Sequence, residues 1–197
     1  MTKVKICGLT NIEDALFAAN SGADALGFVF YKKSPRYVSP QTVAEILPQL
    51  PPFVKTFGLF VNEPKAFIED TVRTTGLNAA QIHFDVNQTF LDDLKIPAIG
   101  VVRAKSAEDI HNFPNSYKII DSFCESYGGS GKRLNLEWFE NVDCSKIILA
   151  GGLNAQNVAN VCRLGFYGVD VSSGVESMPG KKDSKKVKQF IDNAKKC

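Results

Sequence analysis

The sequence predicts an α/β fold, a (β/α)8 barrel of the TIM type, compact and with shortened helices. Eight apolar runs of strand length recur at residues 4–9, 25–30, 53–61, 79–84, 97–102, 117–122, 146–151 and 168–172, their starts 18 to 29 residues apart. That spacing accommodates a strand and a crossover helix. Each run is apolar almost throughout, as expected of parallel strands buried on both faces. Special residues also recur where the runs stop: Cys7–Gly8, Asp121, Gly151–Gly152 and Asp170 to Gly174. A chain that repeats this pattern builds one site from many strand ends, as barrel enzymes do.

The segments between the runs read as helices. Asn11 is placed to cap a helix over 12–21, with Asp14 three residues on and Gly22 closing it. Pro40 suits the first turn of a helix reaching Pro48, and Pro64 opens another through Thr74 with Gly76 after it. The segment 87–94 is short, 106–111 is shorter, and the sixth helix, near 136–140 with Trp138 as a core anchor, is weak. Asn154 is expected to cap 155–164 before Gly165, and Ser184 to cap the last helix over 185–196. No linker or composition break interrupts the chain, so 1–197 reads as a single catalytic barrel domain. An open doubly wound sheet is the competing architecture. The first strand leads into CGLTN rather than a dinucleotide-binding G-x-G-x-x-G, and eight alternations favour closure.

Composition sets the outer limits. The 197 residues suffice for one sizeable core and are few for eight strand–helix units. A 44% hydrophobic, 22% charged composition is that of a globular protein. A net charge of +2 supplies no field for nucleic acid or a membrane surface. The lysines at 181, 182, 185, 186 and 188 read as a solvated helix face. Five cysteines, an odd count without metal-ligand spacing, indicate neither a disulfide framework nor zinc. The N-terminus enters a strand directly and no apolar run approaches ~18 residues, so the expected home is a reducing cytoplasm.

Four side chains and two turns are candidates for chemistry. The turns after the seventh and eighth strands, with Gly152, Asp170, Ser172, Ser173 and Gly174, read as a phosphate site, where backbone N–H groups and hydroxyls meet an oxyanion. Cys7 is either a small buried hydrophobe or, at the barrel mouth, a thiolate acting as base or nucleophile. Asp121 either caps a turn or, half-buried among apolar neighbours, keeps its proton and serves as a general acid. Arg36, in SPRYVSP, is a surface charge or a carboxylate fork. His83 is a satisfied structural histidine or a polar wall of the site.

KICGLTN, GADALGFVFYKKSPRYVSP, GLFVNE, QIH, the IIDS and YGGSGK pair, LAGGLNAQNV and VDVSSGVESMPGKKD together resemble the phosphoribosylanthranilate isomerases of tryptophan biosynthesis, from Val4 to the last helix. The resemblance implies a cofactor-independent aldose–ketose isomerisation, an Amadori rearrangement, on a small-molecule phosphosugar by a monomer or homodimer without a metal. It implies Asp121 as general acid, Cys7 as general base, Arg36 on the anthranilate carboxylate, His83 lining the pocket, and the five turn residues at the phosphate. The loop SFCESYGGSGKRLN after Asp121 reads as a lid or as an ordinary connection; related barrels use its GGSGK run as a mobile loop, and Lys132 is expected to order that loop or lie in solvent, the alternative being that it reaches the substrate. After His83 this chain has Phe-Asp-Val where the family more usually has Gly and acidic residues, which puts bulk from Phe84 near the mouth. An indole-glycerol-phosphate synthase would show a Lys acid and Glu residues at strand ends, and the histidine-pathway isomerase paired Asp residues. Cys7, His83 and Asp121 stand there instead. A binding protein without turnover would have no use for Cys7 and Asp121 together.

Overall fold

A computed structural model describes residues 1–122, 124 and 133–196. Eight strands close a barrel in chain order, every neighbouring pair parallel. They are β1 Lys3–Ile6, β2 Ala25–Val29, β3 Lys55–Phe60, β4 Ala79–Ile82, β5 Ala98–Ala104, β6 Lys118–Ser122, β7 Ile147–Leu149 and β8 Gly168–Val171. β1 closes on β8 with Lys5 opposite Asp170 and Ile6 opposite Val171. The expected barrel is therefore the observed one.

Both faces of the strands are buried, which is why the sequence shows apolar runs and not alternation. Successive side chains point in and out. Ile6, Phe28, Phe60, Ile82, Ile120 and Leu149 turn outward against Ala15, Val43, Ile68 and Phe190 of the helical shell. Inward-turned residues form two smaller clusters: Cys7, Val29, Leu59 and Val61 near the mouth, and Ile99, Val101, Ile119 and Ala150 with Phe57 and Ile148 below. Burying each large outward side chain contributes roughly 1.5–3 kcal/mol, so the shell carries most of the stability.

The helices are α1 Ile12–Asn20, α2 Pro40–Ile46, α3 Lys65–Thr75, α4 Gln88–Asp92, α5 Val158–Cys162 and α6 Ser184–Lys195. Asn11 caps α1 by accepting from Asp14 N–H, and Gly76 ends α3 in the left-handed region, as expected. The α2 expectation divides into that helix and a 3₁₀ turn, Leu47–Gln49, where Pro48 cannot continue the α ladder. The crossovers after β5 and β6 are reduced, among the described residues, to single 3₁₀ turns, Glu108–His111 and Leu136–Phe139.

Three local expectations are corrected. Asp183, not Ser184, caps α6, because its carboxylate accepts from both Lys185 and Lys186 N–H. Asn154 bonds the N–H groups of Gln156 and Asn157 in a tight turn, so α5 begins only at Val158. Lys181 and Lys182 lie not on a solvated helix but in an antiparallel hairpin, β9 Glu176–Met178 with β10 Lys181–Lys182. That hairpin buries Lys182 beside Glu176 at 3.0 Å.

Candidate active site

Six of the eight apolar runs outlast their strands at the C-terminal end, and residues at and just beyond those strand ends line one cavity of about 370 Å3. Cys7, Arg36, His83, Asp121, Gly152, Asp170, Ser172, Ser173 and Gly174 all open on it. The glycines are required by this convergence. Gly8 has φ +75, and a Cβ there would stand 2.6 Å from Arg36 Cδ and 2.8 Å from Ser172 Oγ. Gly151, at φ +89, would drive a Cβ to 2.7 Å from Asp121 Oδ1. Only glycine gives both that backbone and that clearance.

Asp121 ends β6 with its side chain 15% exposed. Burial, and then the negative charge of Asp170, push its carboxyl up to about 7, while Ser122 N–H, Arg103 and Lys5 hold it back. It therefore carries a proton through much of the neutral range, as a general acid must. His83 Nε2 lies 3.8 Å from Asp121 Oδ2. Burial, with Arg103 and Lys5 nearby, lowers His83 to about 3, so this is a neutral imidazole beside the carboxyl rather than an ion pair. Gln81, which sequence reasoning left without a role, also faces the cavity, and its buried Oε1 has no partner.

Cys7 is 5% exposed. Burial pushes its thiol above the ordinary value of 9.0, and Asp170 adds to the rise, while the nearby ammonium of Lys5 and that of Lys182 pull it down. The cations that act on this sulfur are thus two lysines, Lys5 and Lys182. Lys5 was findable, because residues two apart on a strand share a face. Lys182 was not, because the hairpin that buries it has no hydrophobic alternation.

Arg36 sits over the same cavity with its guanidinium already oriented. Nε and Nη2 donate to Glu176 Oε1 and Oε2 at 2.8 and 2.6 Å. Lys182 also reaches Glu176 and the Ser172 carbonyl, at 3.0 and 3.2 Å. Glu176 is thereby held ionised, below the usual carboxylate range despite its burial.

The two turns meet at the cavity's far rim. A Cβ on Gly174 would fall 1.8 Å from the Leu153 carbonyl oxygen, so glycine permits the β7 and β8 turns to touch. Ser172 Oγ is buried with no hydrogen-bond partner among the described residues. Asp170, expected with the phosphate group, lies on the same cavity with its carboxylate paired to Lys5 at 2.9 Å. Phe84 is a correction. It leaves the mouth open and packs edge-on against Phe90 of α4, ring centroids 5.6 Å apart. Of the expected lid, residues 122–135, positions 123 and 125–132 with Lys132 lie outside the described residues. Among the described residues no group of three or more His, Cys, Asp or Glu converges to hold a metal ion, and no helix is long and apolar enough to cross a membrane.

The chain is similar to known proteins in sequence and fold. The family model described as N-(5'phosphoribosyl)anthranilate (PRA) isomerase matches residues 4–193. The N-(5'-phosphoribosyl)anthranilate isomerase of Sulfurovum sp. (strain NBC37-1) is 59% identical over 193 residues, covering 98% of each chain. The crystal structure of phosphoribosyl anthranilate isomerase from Thermotoga maritima superposes with a TM-score of 0.93 at 41% identity, covering 100% of both chains. A second such isomerase, solved in complex with reduced 1-(o-carboxyphenylamino)-1-deoxyribulose 5-phosphate, gives 0.86 at 40% identity, also over 100% of both. This chain belongs to the N-(5'-phosphoribosyl)anthranilate isomerase family.

Proposed function

We propose that this isomerase converts N-(5-phosphoribosyl)anthranilate to 1-(o-carboxyphenylamino)-1-deoxyribulose 5-phosphate in tryptophan biosynthesis, an aldose–ketose change within one molecule. The observation that carries this reading is a carboxyl that keeps its proton to about 7 and a lysine-paired thiol on the same cavity. Asp121 protonates the furanose ring oxygen as the C1–O bond breaks, and the anilinic nitrogen's lone pair forms the iminium. Cys7 then takes the proton from C2. The C2–H electrons form the C1–C2 double bond, and the C=N electrons return to nitrogen, giving the enolamine. The enol proton leaves and C1 is protonated, which yields the ketone. The substrate's own nitrogen serves as the electron sink that cofactors supply elsewhere.

The resting thiol is protonated at neutral pH, so the order of steps matters. The iminium places a positive charge beside Cys7 only after Asp121 has acted. Turnover proceeds from the minority of enzyme in which Cys7 has already released its proton to solvent, and the new charge holds that thiolate and acidifies C2–H when the base is needed. Asp121, now a carboxylate, is the matching acceptor for the enol proton.

The remaining residues fit binding roles. Glu176 uses the Nε–Nη2 edge of Arg36 and leaves the Nη1–Nη2 edge for the anthranilate carboxylate. The unpartnered Ser172 Oγ, with Gly152, Ser173 and Gly174, suits the phosphate. Neutral His83 and the free Oε1 of Gln81 suit ribose hydroxyls. The test is loss of anthranilate-substrate fluorescence by purified wild type, with Cys7→Ser and Asp121→Asn alongside. Turnover is expected in the wild type, and normal turnover in both variants would remove the acid and base assignments.

A further inference from the structure

Beneath Cys7 lies a buried lysine to which the reaction above gives no task. Lys5 is two residues earlier on β1 and faces the same way, into the barrel. Its side chain is 5% exposed, and Nζ donates to Asp170 Oδ1 at 2.9 Å. Nζ also lies near the Cys7 sulfur, each shifting the other's proton affinity toward the charged pair. The adjacent strand is shaped around this pair: a Cβ on Gly27 would stand 2.7 Å from Cys7 Sγ and 3.0 Å from Lys5 Nζ. A buried ion pair with Asp170 alone gains little over apolar packing. The second contact of the ammonium is with a thiol, a weak acceptor when protonated and a strong one as thiolate.

We infer that Lys5 is the positioning residue for the base: anchored by Asp170, its ammonium orients the Cys7 sulfur toward the cavity and pairs with the thiolate. This rests on Cys7 being the base of the proposed reaction. The charged and titratable groups around the sulfur are Lys5 on its own strand, Asp170 from β8 and Lys182 from β10. Facing it across the cavity are Asp121 from β6, neutral His83 from β4, and Arg36 with its Glu176. Lys5 is the larger of the two lysine influences on the thiol, and Asp170 opposes it.

The opposed signs of Lys5 and Asp170 provide the test. Cys7 alkylation by iodoacetamide is followed against pH, resolved by peptide mass so that the other cysteines do not interfere. Asp170→Asn leaves the ammonium to Cys7 alone and is expected to lower the alkylation midpoint by about one pH unit or more. The double variant Lys5→Met with Asp170→Asn keeps the side-chain length without a stranded charge. Its midpoint is expected about one unit or more above wild type, and kcat at pH 8 to fall about tenfold per unit with KM unchanged. A midpoint in Asp170→Asn that stays put or rises overturns the inference, as does an unmoved midpoint in the folded double variant. Turnover by Cys7→Ser tests the base assignment separately, since the alkylation midpoints report on Lys5 whichever residue is the base.

Discussion

The two ends of the barrel interior are built from the same strands and filled with opposite chemistry. Toward the mouth, the inward positions hold Cys7, His83, Asp121 and Asp170, with Lys5 beneath them on Asp170. Toward the other end, Phe57, Ile99, Ile119 and Ile148 fill the interior, and the cavity of about 300 Å3 beside them is also lined by Lys3, Lys5, Asp24 and Lys55. The packed inward layer of the lower end is apolar, and burying it is favourable. The mouth keeps five ionisable groups out of water and satisfies them with one another, which costs stability and shifts proton affinities. Within two residues along a strand, an apolar packing position, Ile119, gives way to an ionisable one, Asp121, at the cavity.

Several measurements can break or sharpen this contrast. The largest effect is expected at the mouth. Cys7→Ser and Asp121→Asn should each lower kcat at least ~10²-fold, the scale of a lost general acid or base, with Tm near or above wild type. Ile119→Ala, at a side chain 1% exposed in the lower layer, should do the reverse. Its unfolding free energy in urea should fall by about 2–5 kcal/mol while kcat of the folded enzyme stays near wild type. If either class of variant showed the other's signature, the division of the interior would be wrong.

Proton linkage at Asp121 gives a finer comparison. The native state binds this proton more tightly than the unfolded chain, since burial raises the carboxyl from 3.8 to about 7. Its contribution is fully present below about 3.8 and is lost as pH rises through about 7. Asn has no proton to lose, so Asp121→Asn should melt higher than wild type at pH 8 and show little or no advantage at pH 4, measured by thermal unfolding. A difference independent of pH would mean that the carboxyl is not held protonated by its site.

The pH dependence of kcat/KM follows from the same pair. The acid is needed protonated and the base deprotonated, yet the acid titrates at about 7 and the thiol above 9.0. The profile should rise with a midpoint near 7, run flat, and fall only above 9.0, the flat region reporting a minority of correctly protonated enzyme. A sharp optimum below pH 7 would contradict the two proton affinities. The smallest effect is expected at the far rim. Ser173→Asp puts an anion against the phosphate and should raise KM mainly, leaving kcat within a few-fold.

Much of this was legible in the chain. Strand spacing and two-faced burial gave the barrel, Asn11 and Gly76 marked helix ends correctly, and the strand-end residues gathered on one cavity. What misled was local chemistry with two uses. Asn154 can cap a helix or close a turn, and it closes a turn. Ser184 and Asp183 are both capping residues, and the carboxylate, accepting two N–H groups, takes the position. Phe84 is bulky at any location, and only the position of Phe90 shows that it packs outward.

The sequence by itself determined the repeat length, the two-faced burial of the strands and the residue types at their ends, because these depend on neighbours along the chain. Tertiary structure alone decided which charges meet: Lys5 with Asp170, 165 residues apart, and Arg36 with Glu176, 140 apart. Closing β1 on β8 and folding the β9–β10 hairpin bring those partners together. Proton affinities in the site follow from the meetings and from burial, both of which are properties of the closed barrel and of no shorter segment.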